Sequence, residues 1–133
     1  MDCSPPSPEG PARAAAAAGL DEAMLEKLVR AFYGLARQDA EIGPIFQRVA
    51  DWEHHIAQIT AFWSSVVFGS GRYRGRPMQA HAPLGLTPAH FARWLTLFER
   101  TARDLCPPAG AALLIDRARR IAASLEAGLT PLG

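Results

Sequence analysis

The sequence predicts an all-α domain on three observations. Apolar residues recur at three- and four-residue steps over four long stretches, as one face of a helix requires. No segment shows the alternation or β-branched enrichment of a strand. Proline and glycine stand at the joins, at Gly43-Pro44, Gly69 with Gly71, and Cys106-Pro107-Pro108. A length of 133 residues with 49% hydrophobic and 20% charged residues fits one core and not two.

Residues 1–19 are rich in proline, serine and alanine, a composition that cannot build a core alone. They are expected to be a disordered tail, with at most a nascent helical turn over Ala14 to Ala18, ahead of a domain spanning residues 20–133. Asp21 opens the first strong helix, whose apolar positions Met24, Leu25, Leu28, Val29 and Phe32 hold the helical spacing to about Leu35. Tyr33 falls on the side of Val29 and Ala36, where its ring packs and its hydroxyl stays wet. After Gly43-Pro44 a short helical turn carries Phe46 towards the core.

Asp51 is the cap of the next helix, which closes at Gly69 and Gly71 because glycine accepts the left-handed backbone that ends helices. Its face His55, Ile59, Phe62, Val66 puts one imidazole in line with three apolar side chains. A second row, Trp52, Ile56, Trp63 and Val67, widens the buried surface, so the helix is covered on more than one side. His54 shares a weakly polar row with Gln58, Ala61 and Ser65. Residues 72–81 lack helical periodicity, carry three arginines and deliver His81 after a short turn. Thr87-Pro88 then starts a helix through Phe91, Trp94, Leu95, Phe98, Ala102 and Leu105. Cys106-Pro107-Pro108 ends it, and the last helix runs from about Ala109 with Leu113, Leu114, Ala118, Ile121, Ala122 and Leu125 inward.

Charge and cysteine content exclude several classes. The net charge of +1 comes from 14 basic and 13 acidic residues interspersed along the chain, so there is no basic field for nucleic acid or an anionic membrane. No apolar run approaches the roughly 18 residues of a membrane span. Cys3 and Cys106 lie at opposite ends of the chain, and the first residues lack the order of a secretory signal. A cytoplasmic location is expected.

Four helices, a histidine on an apolar helix face and a second on the loop leaving that helix are the parts of a haem pocket. Haem iron needs a strong axial ligand, and a flat apolar macrocycle wants Phe, Trp, Leu and Ile around it, with cations near its propionates. From about Leu25 to Leu125 the chain resembles the group III truncated haemoglobins, bacterial globins with a two-over-two helical sandwich. The resemblance rests on Phe32-Tyr33, Gly43-Pro44-Ile45-Phe46, Trp52 with His55, Phe62-Trp63, the Tyr73, Gly75, Pro77 and His81 loop, and Phe91 with Trp94. It implies that His81 is the proximal ligand of a five-coordinate haem b (iron protoporphyrin IX) and His55 the distal histidine. It further implies that Tyr33 and Trp94 are polar aromatics on the distal side, and that Phe46 packs against the haem. Phe62 belongs to the haem-facing row, and Arg76, with Arg72 and Arg74, is a candidate for the propionates.

The function so implied is reversible binding of dioxygen or another diatomic ligand. The alternative is a peroxidase-like or nitric-oxide-detoxifying redox enzyme fed by a reductase. Two other classes compete. A cofactor-free helical interaction module would make the histidines structural residues. A two-histidine metal site would use His55 and His81 alone, because neither has Asp, Glu or Cys at ligand spacing. His90, near a helix start, carries no functional expectation.

Overall fold

The structure is a computed structural model and describes residues 10–129. Among the described residues six helices follow one another: α1 (Gly10–Ala17), α2 (Glu22–Ala36), α3 (Trp52–Phe68), α4 (Pro77–His81), α5 (Pro88–Leu105) and α6 (Pro108–Leu129). A 3₁₀ turn, Gly43–Arg48, joins α2 to α3, and a second, Ala82–Leu84, follows α4. Among the described residues there is no strand. Helices α2 and α3 pack as one pair and α5 and α6 as the other, with α2 against α5 joining them. This is the expected two-over-two arrangement.

The caps fall where the sequence places them. Asp21 accepts the N–H of Met24 at 2.7 Å, and Asp51 accepts that of His54 at 3.1 Å. Gly69, at φ +65°, ends α3 in the left-handed region. At the start of α5 the Thr87 hydroxyl accepts the His90 N–H at 3.3 Å, while His90 Nδ1 accepts the Thr87 N–H at 3.0 Å. His90 therefore has a task the sequence reading did not give it. Its ring takes the place of the usual Glu or Gln in a reciprocal capping box.

Aromatic rings join the two pairs. Trp63 of α3 stacks on Phe98 of α5 with centroids 4.9 Å apart, and Phe98 stacks in turn on Trp94 at 5.2 Å. Phe32 of α2 meets Trp94 and Phe98 edge-on at 5.6 and 5.8 Å. The α5 stripe is broader than its predicted positions, since Leu97 and Thr101 are also buried. The Thr101 hydroxyl is satisfied by the Leu97 carbonyl at 2.7 Å.

The N-terminal segment departs from expectation. Residues 10–17 form a helix packed on α3, with Ala15 completely buried and Leu20 only 4% exposed. Alanine costs a helix least, and its methyl lets backbones approach closely enough to seat α1 on its neighbour. The following corner tucks under α6. A Cβ at Gly110 would stand 2.8 Å from Leu20 Cδ2 and 3.0 Å from the Ala18 carbonyl oxygen, so only glycine lets the chain pass there. The rest of the expected tail, residues 1–9 with Cys3, lies outside the described residues. Cys106, the C-cap of α5, is a free thiol 8% exposed, and burial pushes its pKa up.

Candidate functional site

Helix α3 has two unlike apolar faces. Ile56, Thr60, Trp63, Ser64 and Val67 are buried against the core. His55, Ile59, Phe62 and Val66, on the other face, are only half-buried. Three apolar side chains in line, half open and headed by an imidazole, make a surface able to receive a flat apolar partner.

At the head of that face four rings from three elements pack together. Tyr33, from α2, meets the His55 ring edge-on at 5.1 Å, Phe46 of the 3₁₀ turn at 5.3 Å and Trp52 at 5.9 Å. Trp52 lies 5.5 Å from His55, and the Arg37 guanidinium covers the Trp52 ring at 3.9 Å. Tyr33 is 8% exposed, deeper than a core-edge position, and burial pushes its phenol well above the usual range. His55 Nε2 is buried without a hydrogen-bond partner. Burial first, then the charges of His54 and His81, hold the His55 pKa below its ordinary value. The neutral ring therefore keeps one N–H and one lone pair.

His81 ends α4. Its Nδ1 lies 2.6 Å from the Pro77 carbonyl oxygen one turn back. A carbonyl only accepts, so Nδ1 carries a proton, and in the tautomer with that proton alone the lone pair lies at Nε2. Helix α4 packs on α6, and Met78 joins a small apolar cluster with Phe91, Ala122 and Leu125.

The remaining predicted residues take distinct places. Phe62 meets Tyr73 of the loop edge-on at 5.2 Å. Trp94 is half-buried and held by Phe98 and Phe32. Arg74 and Arg76 are exposed, and Arg76 is the N-cap of α4. Arg72 points elsewhere, onto Glu22 of α2 at 2.7 Å. The sequence reading missed Arg37 over Trp52, and also Ser64, which a helical projection places with Thr60 among the apolar core residues of α3. Among the described residues no group of three or more His, Cys, Asp or Glu could hold a metal ion. No helix there is long and apolar enough to cross a membrane.

Comparison with known proteins points one way. The family model for bacterial-like globins matches residues 16–112. The chain is 30% identical over 113 residues to the group 3 truncated hemoglobin ctb of Campylobacter jejuni, covering 80% of this chain and 89% of that protein. The crystal structure of the group III truncated hemoglobin from Campylobacter jejuni matches with a TM-score of 0.79 at 30% identity, covering 86% of this chain and 94% of that one.

Proposed function

The chain belongs to the bacterial-like globins as a group III truncated haemoglobin, and from that premise we propose how it uses its haem. It holds haem b through His81 alone, leaving the iron five-coordinate. It binds dioxygen or another diatomic ligand reversibly in a pocket lined by Tyr33, His55 and Trp94. Bound haem supplies the iron that receives the ligand, and the surrounding residues decide how firmly the ligand stays.

The observation that carries this reading is the hydrogen bond from His81 Nδ1 to the Pro77 carbonyl at 2.6 Å, which fixes the tautomer an axial ligand needs and orients the ring. The orphaned Nε2 of His55 fits the same group, because a buried polar atom without a partner favours a small polar ligand beside it. Ile59, Phe62 and Val66 offer an apolar bed for the macrocycle, and Phe46 packs at its edge. Tyr33 and the Trp94 indole N–H donate to a partly negative ligand, while His55 gates or donates beside them. Arg76 serves the propionates from the start of α4. With cysteines only at positions 3 and 106, the chain has no Cys-x-x-Cys-His motif for thioether attachment, which fits haem b. The protein acts in the cytoplasm.

The test is hemin titration followed by absorption spectroscopy. The parent chain develops a Soret band and keeps it through gel filtration. His81→Gly loses the haem, and added imidazole restores it. A His81→Gly chain that holds haem as tightly as the parent overturns the assignment.

A second reading uses the same pocket. Two donors, Tyr33 and His55, in ring contact at 5.1 Å also suit activation of peroxide or oxidation of nitric oxide, since donors near the distal oxygen polarise the O–O bond. Electrons would then come from a partner reductase. Turnover of hydrogen peroxide or nitric oxide by the loaded protein distinguishes this from simple carriage.

A further inference from the structure

The loop between α3 and α4 is stitched to the start of α2. Ser64, completely buried on the core face of α3, has one proton to give, and its Oγ donates to Glu22 Oε2 at 2.6 Å. The Ser70 hydroxyl, 2.7 Å away, must then donate to Ser64. Ser70 Oγ accepts the Arg72 N–H at 3.3 Å, and the Arg72 guanidinium returns to Glu22 Oε1 at 2.7 Å. The circuit closes on itself through four side chains from the first turn of α2, the last turns of α3 and the loop. One residue further, the Tyr73 N–H donates to Ser65 Oγ at 2.8 Å and the Tyr73 ring lies edge-on to Phe62. The Tyr73 phenol in turn closes over Gly75, where any Cβ would collide with it.

From this circuit we infer that Glu22, Ser64, Ser70 and Arg72 are positioning residues for the proximal side, a clasp that sets where α4 starts and so where His81 presents its ring. The inference rests on the reading of His81 as the axial ligand. Helix α4 has only five residues and cannot hold its own direction. Met78 in its first turn packs against the cluster of Phe91, Ala122 and Leu125, and the clasp holds the loop that leads into it. An exposed Arg–Glu pair alone would contribute little. Here the carboxylate also accepts a hydrogen bond from a buried hydroxyl, so losing Glu22 strips that hydroxyl of its acceptor, and losing Arg72 cuts the loop's tie to the same carboxylate.

The experiment uses the full chain loaded with haem, comparing Ser64→Ala, Arg72→Met and the conservative Arg72→Lys. The readouts are haem transfer to an excess of a haem-free acceptor protein and the iron–histidine stretching band in resonance Raman. Amide hydrogen exchange over residues 70–76 is followed in the haem-free chain. Ser64→Ala and Arg72→Met are expected to speed haem transfer about tenfold, the scale on which groups orienting a metal ligand act. They should also shift or broaden the band and raise exchange in the loop, while Arg72→Lys returns towards the parent. Arg72 is 49% exposed, so Arg72→Met keeps the test open if Ser64→Ala does not fold. Unchanged transfer and an unmoved band in Arg72→Met overturn the inference. His81→Gly is run in parallel: if it retains the band, the axial assignment has failed and the clasp loses its purpose.

Discussion

Tyr33 and His55 show how burial sets the chemistry of single residues. Desolvation keeps the Tyr33 phenol protonated far above physiological pH, so it stays a donor at every pH the protein meets. Tyr33→Phe is expected to speed dioxygen release about tenfold, the loss of one hydrogen bond of roughly 1.4 kcal/mol. Stopped-flow measurement of release checks this, and an unchanged rate removes Tyr33 from the donors. His55 is depressed chiefly by burial, with the charges of His54 and His81 adding to it. The folded state thus prefers the neutral ring. Its stabilisation is whole above the ordinary histidine range and is lost as pH falls through the depressed folded value, where the unfolded chain takes a proton the native chain declines. Haem-free protein should therefore melt progressively lower on acidification below about pH 6.5, with His55→Phe flattening the slope. Thermal melts across a pH series decide it, and parallel slopes for parent and variant would assign the loss to other groups. Helical spacing put His55 on the half-buried face it occupies, whereas Tyr33 lies deeper than the core-edge place with a wet hydroxyl that its spacing suggested. Arg72 was not legible in the sequence, because an arginine in a charged loop gives no local sign that its carboxylate stands on a helix fifty positions earlier.

At the level of elements, caps and breaks were readable because each acts over three or four residues. Asp21, Asp51 and Thr87 open, and Gly69 closes, the helices they were expected to bound. Helix α1 was misjudged for the opposite reason. An alanine-rich run has helical propensity and no amphipathic stripe, and whether it docks depends on the surface α3 offers. The Gly69 backbone at the end of α3 leaves room for Pro11, since even a Cβ there would sit 3.7 Å from the proline ring. Ala15→Asp should lower stability by roughly 1–3 kcal/mol, the cost of forcing a charge into a packed contact. Denaturant unfolding of the two chains measures the difference, and equal midpoints would mean that α1 contributes nothing to the fold.

For the whole molecule, four long periodic stretches announced the all-helical class, while the two-over-two packing was expected only from the family resemblance. The aromatic contacts of Phe32, Trp63, Trp94 and Phe98 realise that packing without adding a surprise. What stayed illegible was pairing across distance, as between Glu22 and Ser64, where neither residue type announces the other. The half-open row of Ile59, Phe62 and Val66 carries a consequence beyond ligand chemistry. Newly made polypeptide bears a greasy stripe until porphyrin covers it, and whatever binds only the native form deepens its stability by mass action. Saturating porphyrin is therefore expected to slow limited proteolysis and clumping of the folded chain.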